Sequence, residues 1–445
     1  MNAEALLERE LERFEREHPR SRDLAARGRN SLLAGVPMHW MVRWAGGFPV
    51  FAAEAAGAHF TDVDGIDYVD FCLGDTGAMT GHSPQPVVRA IAEQAARGIT
   101  LMLPSEDALW VGEELTRRFG VPRWQFALTA TDANRFAIRL ARLVTGRPKI
   151  LVFNWCYHGT VDETVATLRD GAVVEREGNL GPPVPLDETT RVVEWNDVDA
   201  LERELAHGDV ALVLAEPALT NIGIVHADPG FHDALREATR RHGTLLAIDE
   251  THTLCAGPGG FIAAHGLEPD IVTLGKAIGS GIPSAAYGFT QELAARIEGA
   301  IGPEESDTGG VGGTLAANVL SLAAMRATLT HVLTDHAFAG MIARAERFER
   351  GVAETIESAG LAWHVTRLGC RVEYLFRPER PRTGSEAAAG GNPLLDRLIH
   401  LYALNRGILL TPFHNMALMS PATTDEDVDR HTEVFAEAAA ELSAS

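Results

Sequence analysis

Hydrophobic and polar positions along this chain change period twice, and each change predicts a different element. Leu6, Leu7, Leu11 and Phe14 recur at helical spacing and predict an amphipathic helix over residues 3–16. An irregular stretch follows over residues 35–47, dense in Met38, His39, Trp40, Met41 and Trp44. Residues 58–71 then alternate around Asp64-Gly65, the pattern of a hairpin. Beyond them the chain repeats helix, short apolar run, helix. The runs are Lys149-Ile-Leu-Val-Phe153, Val210-Ala-Leu-Val-Leu-Ala215, Thr244-Leu-Leu-Ala-Ile248 and Ile271-Val-Thr-Leu274, with helical stretches such as residues 231–241 between them. Short runs that are apolar throughout are buried on both faces, so they predict an α/β fold with a largely parallel sheet covered by helices.

In such sheets ligands lie beyond the carboxyl ends of the strands, so the residues after each run carry the chemistry. Those residues are Trp155-Cys-Tyr-His-Gly159, Glu216-Pro217, Asp249-Glu250 and Gly275-Lys276. All four segments hold groups suited to chemistry. After about Leu315 a helical region leads to a strand at residues 370–376, a Pro/Gly-rich stretch over residues 377–393 that reads as a mobile loop, and a last helix at residues 428–442. The expected division is an N-terminal segment over 1–75, a large domain over 76–325 and a small C-terminal domain over 326–445.

Composition narrows the function class. At 46% apolar and 22% charged residues the chain is globular, and a formal charge of -22 argues against nucleic acid or an anionic membrane as partner. Cys72, Cys156, Cys255 and Cys370 are scattered without metal-ligand spacing and predict reduced thiols, with no metal. The Glu/Arg-rich N-terminus lacks the apolar core of a signal peptide, and no apolar stretch is long enough to span a bilayer; the expected location is cytoplasmic. No Gly-x-Gly-x-x-Gly turn follows the first parallel strand, which counts against a nicotinamide dehydrogenase.

Only two lysines, Lys149 and Lys276, stand against thirty-seven arginines. Arginine replaces lysine for charge but not for imine chemistry, because a guanidinium stays protonated. Lys149 opens an apolar run and reads as a solvated strand-start residue. Lys276 follows a strand within a glycine-rich turn and stands 27 residues after Asp249, which also ends a strand. An amine and an acid at neighbouring strand ends suit pyridoxal 5'-phosphate: the lysine holds the cofactor aldehyde and then shuttles a proton, while the acid keeps the pyridine nitrogen protonated. The competing reading is an acid capping a helix and a lysine on the surface.

The segments Thr244-Leu-Leu-Ala-Ile-Asp-Glu250 and Asp270-Ile-Val-Thr-Leu-Gly-Lys276-Ala-Ile-Gly-Ser-Gly-Ile-Pro283 resemble the class III aminotransferases, and within them the glutamate-1-semialdehyde aminomutase and β-amino-acid transaminase branch. The resemblance runs from about Gly35 to the C-terminal helix. It implies fold-type I, with a mostly parallel seven-stranded sheet in the large domain, a smaller α/β domain built from both terminal segments, and a homodimer with shared active sites. Residue by residue, it implies that Lys276 is the Schiff-base lysine and Asp249 the pyridinium partner. Tyr157 would stack on the ring within Tyr157-His158-Gly159. Thr129, Ala130 and Thr131 would form the phosphate loop, and Thr314, in Gly312-Gly-Thr314, would reach the other monomer's phosphate. Glu216 and Asn221 would lie in a turn near ring and substrate; Thr251 would pack beneath the ring, followed by His252, either a supporting hydrogen-bonding group or a catalyst.

The chain departs from that pattern in several places. The phosphate loop usually reads Ser-Gly-Thr-Glu, and here it is Thr129-Ala130-Thr131-Asp132. Trp40 stands where the branch has a carboxylate-binding arginine, and Thr411 where other members have a mobile one. Arg43 and Arg371 are the candidate replacements, either as carboxylate partners or as ordinary structural arginines. Asp75 stands where the family usually has a substrate-facing aromatic. Met38, Trp40, Met41 and Met79 read either as core or as a pocket for a bulky apolar amine. The expected activity is a pyridoxal phosphate-dependent transaminase moving an amino group from an amine or amino acid to a keto acid or aldehyde. An aminomutase or racemase on the same scaffold is the alternative, and a non-catalytic family member the remaining one.

Overall fold

A computed structural model of the chain describes residues 3–302, 308–412 and 414–443. It separates into two units, one of Met1–Pro84, His336–Arg380 and Gly390–Ser445, the other of Gln85–Asp335 and Pro381–Ala389.

The second unit is built on a seven-stranded sheet. Its strands in chain order are β1 (Arg123–Ala127), β2 (Lys149–Phe153), β3 (Thr190–Val193), β4 (Val210–Ala215), β5 (Leu245–Asp249), β6 (Ile271–Leu274) and β7 (Ala285–Phe289), and their spatial order is β1-β7-β6-β5-β4-β2-β3. Only β7 runs antiparallel to its neighbours. Strands β4, β5 and β6 are buried along their whole length, as runs without polar alternation require. Each fully buried Val, Leu, Ile or Phe side chain contributes about 1.5–3 kcal/mol. Helix Phe231–His242 covers the sheet with Phe231, Leu235, Ala238 and Thr239 buried at helical spacing. Trp195 fixes that contact, its ring 4.7 Å from Phe153 on β2 and 4.6 Å from Phe231.

Residues 377–393 are not a loop throughout. Gly384–Ala389 form a helix, and residues 381–389 join the second unit rather than a domain running over 326–445. Polar anchors explain this: Asn196 Nδ2 donates to the Arg382 carbonyl (2.8 Å), and the Ser385 N–H donates to Glu194 (3.3 Å). The boundaries in the chain also fall somewhat later than sequence places them.

The first unit holds a four-stranded sheet, ordered Ala52–Ala56, His59–Asp62, Asp67–Asp70, Ile408–Leu409, and a three-stranded antiparallel one of His364–Leu368, Arg371–Leu375 and Met416–Leu418. The Asp64-Gly65 turn joins the expected hairpin strands. Helices Ala3–Glu17, Asp335–Ser358, Pro393–Leu404 and Asp425–Ser443 belong to this unit or begin at its edge. His431, on the last of these helices, is buried among aromatic rings, stacked on Phe348 at 4.1 Å and lying 5.8 Å from Phe71 and 5.9 Å from Phe435.

Burial alone pushes the His431 pKa down from its ordinary 6.5 to about 3. Below pH 6.5 the unfolded chain therefore takes up a proton that the folded chain refuses. Stability is lost as the pH falls from about 6.5 toward 3, at about 1.4 kcal/mol per pH unit. His431→Phe keeps the ring stack and removes the titration. Its stability, read from denaturant midpoints, is expected to fall less than wild type between pH 7 and pH 5, by about 2 kcal/mol. Identical pH slopes for the two proteins would show that His431 does not set the acid limit.

Candidate active site

Strands β5 and β6 are parallel neighbours with Asp249 opposite Thr273. The chain leaves β6 through Gly275, so Asp249 and Lys276 stand at adjoining carboxyl ends of one sheet. Lys276 itself has a left-handed backbone, φ 50°. A non-glycine residue there costs about 1–3 kcal/mol and persists only where its surroundings hold it.

Asp249 is only 3% exposed. Its Oδ2 accepts from Asn134 Nδ2 (2.8 Å) and His158 Nδ1 (2.9 Å), and its Oδ1 accepts from the Thr251 N–H (3.0 Å). Burial alone would neutralise this acid, but His158, Thr251 and Asn134 outweigh burial and hold its pKa below the ordinary carboxylate value. Burial likewise opposes a charged His158, yet Cys156 and Asp249 raise that imidazole well above its ordinary value. Asn134 is a residue that sequence reading missed. It lies buried inside helix Ala130–Thr145, donates also to the His158 carbonyl (3.1 Å) and accepts from the Thr273 hydroxyl (2.6 Å). One amide thus ties together the helix, the loop after β2, and strands β5 and β6.

The start of helix Ala130–Thr145 completes the arrangement. The Thr129 hydroxyl accepts from the Asp132 N–H (3.2 Å) and donates to its carboxylate (3.0 Å), so this side chain is spent as the helix cap. The N–H groups of Ala130 and Thr131 head the first turn, where a helix offers donors and partial positive charge to an anion. Thr131 Oγ1 accepts from the Thr160 N–H (3.1 Å), leaving its own proton to donate. Two glycines permit this crowding. A Cβ on Gly159, φ 81°, would collide with Thr131, and one on Gly275 would stand 3.1 Å from the Ala130 Cβ. A helix start, a buried ionised acid and an amine therefore meet in one cradle. These are the complements of a phosphate, a pyridinium and an aldehyde, so the residues fit pyridoxal 5'-phosphate.

The remaining acids anchor loops. Glu216 is buried and accepts from the N–H groups of Tyr157 (3.0 Å) and Thr220 (3.1 Å), and from the Thr220 hydroxyl. It fixes the loop that carries Tyr157 rather than offering a free carboxylate. Burial raises its pKa. Glu250 accepts from the N–H groups of Phe261 (3.1 Å) and Ile262 (2.6 Å), and burial pushes it up to about 7. Asn221 is half-buried in the turn between paired Leu219 and Val225. Thr251 is buried directly after the two acids. His252, half-buried, places Nε2 2.8 Å from Lys276 Nζ. Thr314 is exposed and borders a cavity of about 240 Å³ with Leu128, Asp132 and Phe136.

The four residues expected at the substrate belong to the other unit. Trp40 is half-buried in the short turn His39–Val42, and Arg43 is exposed just after it. Asp75 is half-buried within a left-handed run, Leu73 to Thr76. Arg371 is not available as a carboxylate partner: it is 0% exposed, inside a strand, with Glu373 at 3.3 Å. Met79 is likewise core, whereas Met38 and Met41 are exposed. Among the described residues no group of His, Cys, Asp and Glu side chains could hold a metal ion, and no helix is long and apolar enough to cross a membrane.

Sheet, acid, amine and helix start define a fold-type I pyridoxal phosphate enzyme. Residues 41–439 match the model of the class-III aminotransferases, and the chain belongs to that family. Glutamate-1-semialdehyde 2,1-aminomutase of Neisseria meningitidis serogroup C is 32% identical over 401 residues, 88% of this chain and 92% of that protein. A glutamate-1-semialdehyde-aminomutase from Pseudomonas aeruginosa PAO1 superposes with a TM-score of 0.97 at 53% identity, covering 99% of this chain and 98% of that one. A variant of that aminomutase was crystallised in complex with PMP. The β-phenylalanine aminotransferase of Variovorax paradoxus superposes with a TM-score of 0.87 at 27% identity, covering 98% and 97%.

Asn134→Ala leaves the His158 carbonyl and the Thr273 hydroxyl without their amide partner and strips one donor from Asp249. The expected loss is about 1–3 kcal/mol of stability, together with faster loss of cofactor on dialysis. Wild-type melting and cofactor retention in this variant would remove Asn134 from the site.

Proposed function

We propose that the enzyme transfers an amino group from an amine or amino-acid donor to a keto acid or aldehyde acceptor, with Lys276 and Asp249 as its catalytic residues. One observation carries the reading: an acid kept ionised while buried shares adjoining strand ends with Lys276, beside an open helix start. When bound, pyridoxal 5'-phosphate supplies an aldehyde that joins Lys276 Nζ and a ring that accepts electrons from the substrate carbon. The chain's own residues do the rest. The N–H groups of Ala130 and Thr131 and the Thr131 hydroxyl would hold the phosphate, and Thr129 keeps that turn capped. Asp249, with Oδ2 held by His158 and Asn134, would pair with the ring nitrogen and keep it protonated. Tyr157, Thr251 and Asn221 would line the ring, with the Tyr157 loop held by Glu216. Lys276 Nζ would take the proton from the substrate carbon and give it back as the product forms.

A homodimer belongs to this reading, with Thr314 reaching the partner's phosphate; its exposure on this chain suits such a role. A cytoplasmic location belongs to it too, supported by four cysteines that are buried as thiols rather than joined in disulfides. The named relatives favour a second reading, an intramolecular aminomutase using the same Lys276 and Asp249.

Lys276→Ala and Lys276→Arg are each expected to lower turnover by at least about 10³-fold. Asp249→Asn is expected to retain some cofactor but lose most of its rate. Ordinary turnover in the Lys276→Arg variant would sink the assignment. Visible absorbance during addition of single amines and amino acids separates the two readings. A cofactor band that a donor discharges and a carbonyl acceptor restores identifies transfer between molecules. Rearrangement of a substrate with no acceptor present identifies the mutase.

A further inference from the structure

We infer that His252 is a positioning residue for Lys276: it holds the lysine amine whenever that amine is not joined to the cofactor. The inference rests on the proposed role of Lys276. In every turnover Lys276 must let go of the cofactor, act on a proton at the substrate carbon and then rejoin the aldehyde. A free lysine side chain has four rotatable bonds and about 2 kcal/mol of rotamer entropy, so something must keep Nζ near the reacting carbon during that interval.

His252 is built to do so. Its Nε2 stands 2.8 Å from Lys276 Nζ, within hydrogen-bond distance. Of the two nitrogens one donates and the other accepts, so the contact forms with a neutral imidazole facing an ammonium or with an N–H facing a free amine. Both partners are held from behind. His252 precedes the short turn Thr253–Ala256, where the Leu254 N–H bonds to the Glu250 carbonyl (2.9 Å) and the Glu250 carboxylate accepts from the Phe261 and Ile262 N–H groups. Lys276 starts from a left-handed backbone fixed between Gly275, which abuts Ala130, and Ala277, which is buried. The imidazole is thus a docking point on a rigid turn for a lysine whose stem has a fixed origin.

The scarcity of lysine supplies a direct test. Lys149 is the other lysine; its Nζ donates to the Asp187 carbonyl (2.8 Å), away from the Lys276 turn, so it serves as an internal reference in the same molecule. The full-length protein is loaded with pyridoxamine phosphate, which has no aldehyde to join the Lys276 amine. It is treated briefly with acetic anhydride, and acetylation at the two lysines is compared by peptide mass mapping in wild type, His252→Ala and His252→Gln. Loss of the tether is expected to raise the Lys276-to-Lys149 labelling ratio by about threefold or more in His252→Ala. Glutamine, which also offers hydrogen-bonding groups, is expected to bring the ratio back toward wild type; His252→Leu, which offers none, stands in if the alanine variant does not fold. Equal ratios in wild type and the folded alanine or leucine variant overturn the tether, and the proposed amino transfer survives that result if pyridoxal phosphate still gives wild type its visible band. Absence of the band in wild type overturns the role of Lys276 and the tether with it.

Discussion

An ionised carboxylate buried at the end of a strand is the constraint from which this site is organised. An unpaired charge removed from water costs many kcal/mol unless hydrogen bonds and opposite charge replace the lost solvation. Asp249 is ionised only because three segments deliver partners to it: a helix provides Asn134, the loop after β2 provides His158, and its own turn provides the Thr251 N–H. Each partner restricts its own segment in turn. Asn134 must face inward, which fixes the rotation of the helix and therefore the direction in which its first-turn N–H groups point. His158 must turn inward to meet Asp249, which holds its neighbours Tyr157 and Gly159 at the site. The anion site and the acid are not two features placed side by side, since the partners of one orient the other.

The three buried acids at the strand ends show how neighbours decide what a carboxylate becomes. Asp249 faces a cationic ring, and its pKa falls. Glu216 and Glu250 face backbone N–H groups and hydroxyls, and burial prevails, so both are raised. Those two hold a loop and a helix start respectively, which needs acceptor atoms more than it needs charge. The same residue class at equivalent sheet positions thus supplies electrostatics in one case and structure in the other two.

Much of this was legible in the chain because the physics was local. Runs such as Val210–Ala215 are apolar throughout and have one stable home, the middle of a covered sheet. Asp249 and Lys276 were legible because each directly follows such a run. Strands β1, β3 and β7 were not read, since Arg-Trp-Gln-Phe-Ala, Thr-Arg-Val-Val and Ala-Ala-Tyr-Gly-Phe lack the uniform β-branched signal. Asn134 was invisible because a single amide within an amphipathic helix leaves no period to notice. The arrest of residues 381–389 depends on Asn196 and Glu194, far away in the chain, and Arg371 became a core ion pair through Glu373, on the same face of its strand. Composition marks such segments as polar; long-range partners decide where they settle.

The cradle at the start of helix Ala130–Thr145 is walled by main chain at Gly159, where a methyl group has no room beside Thr131, and at Gly275, where one would crowd Ala130. A recess shaped by backbone rather than by side chains has few ways to drift. Enlarging Gly159 closes it, and enlarging Gly275 crowds the first residue of the helix. Variation that alters which molecules this enzyme accepts must therefore accumulate elsewhere, while the grip on the anion stays constant. Anyone evolving new specificity on this scaffold can hold those two positions fixed and spend the whole library on the rest.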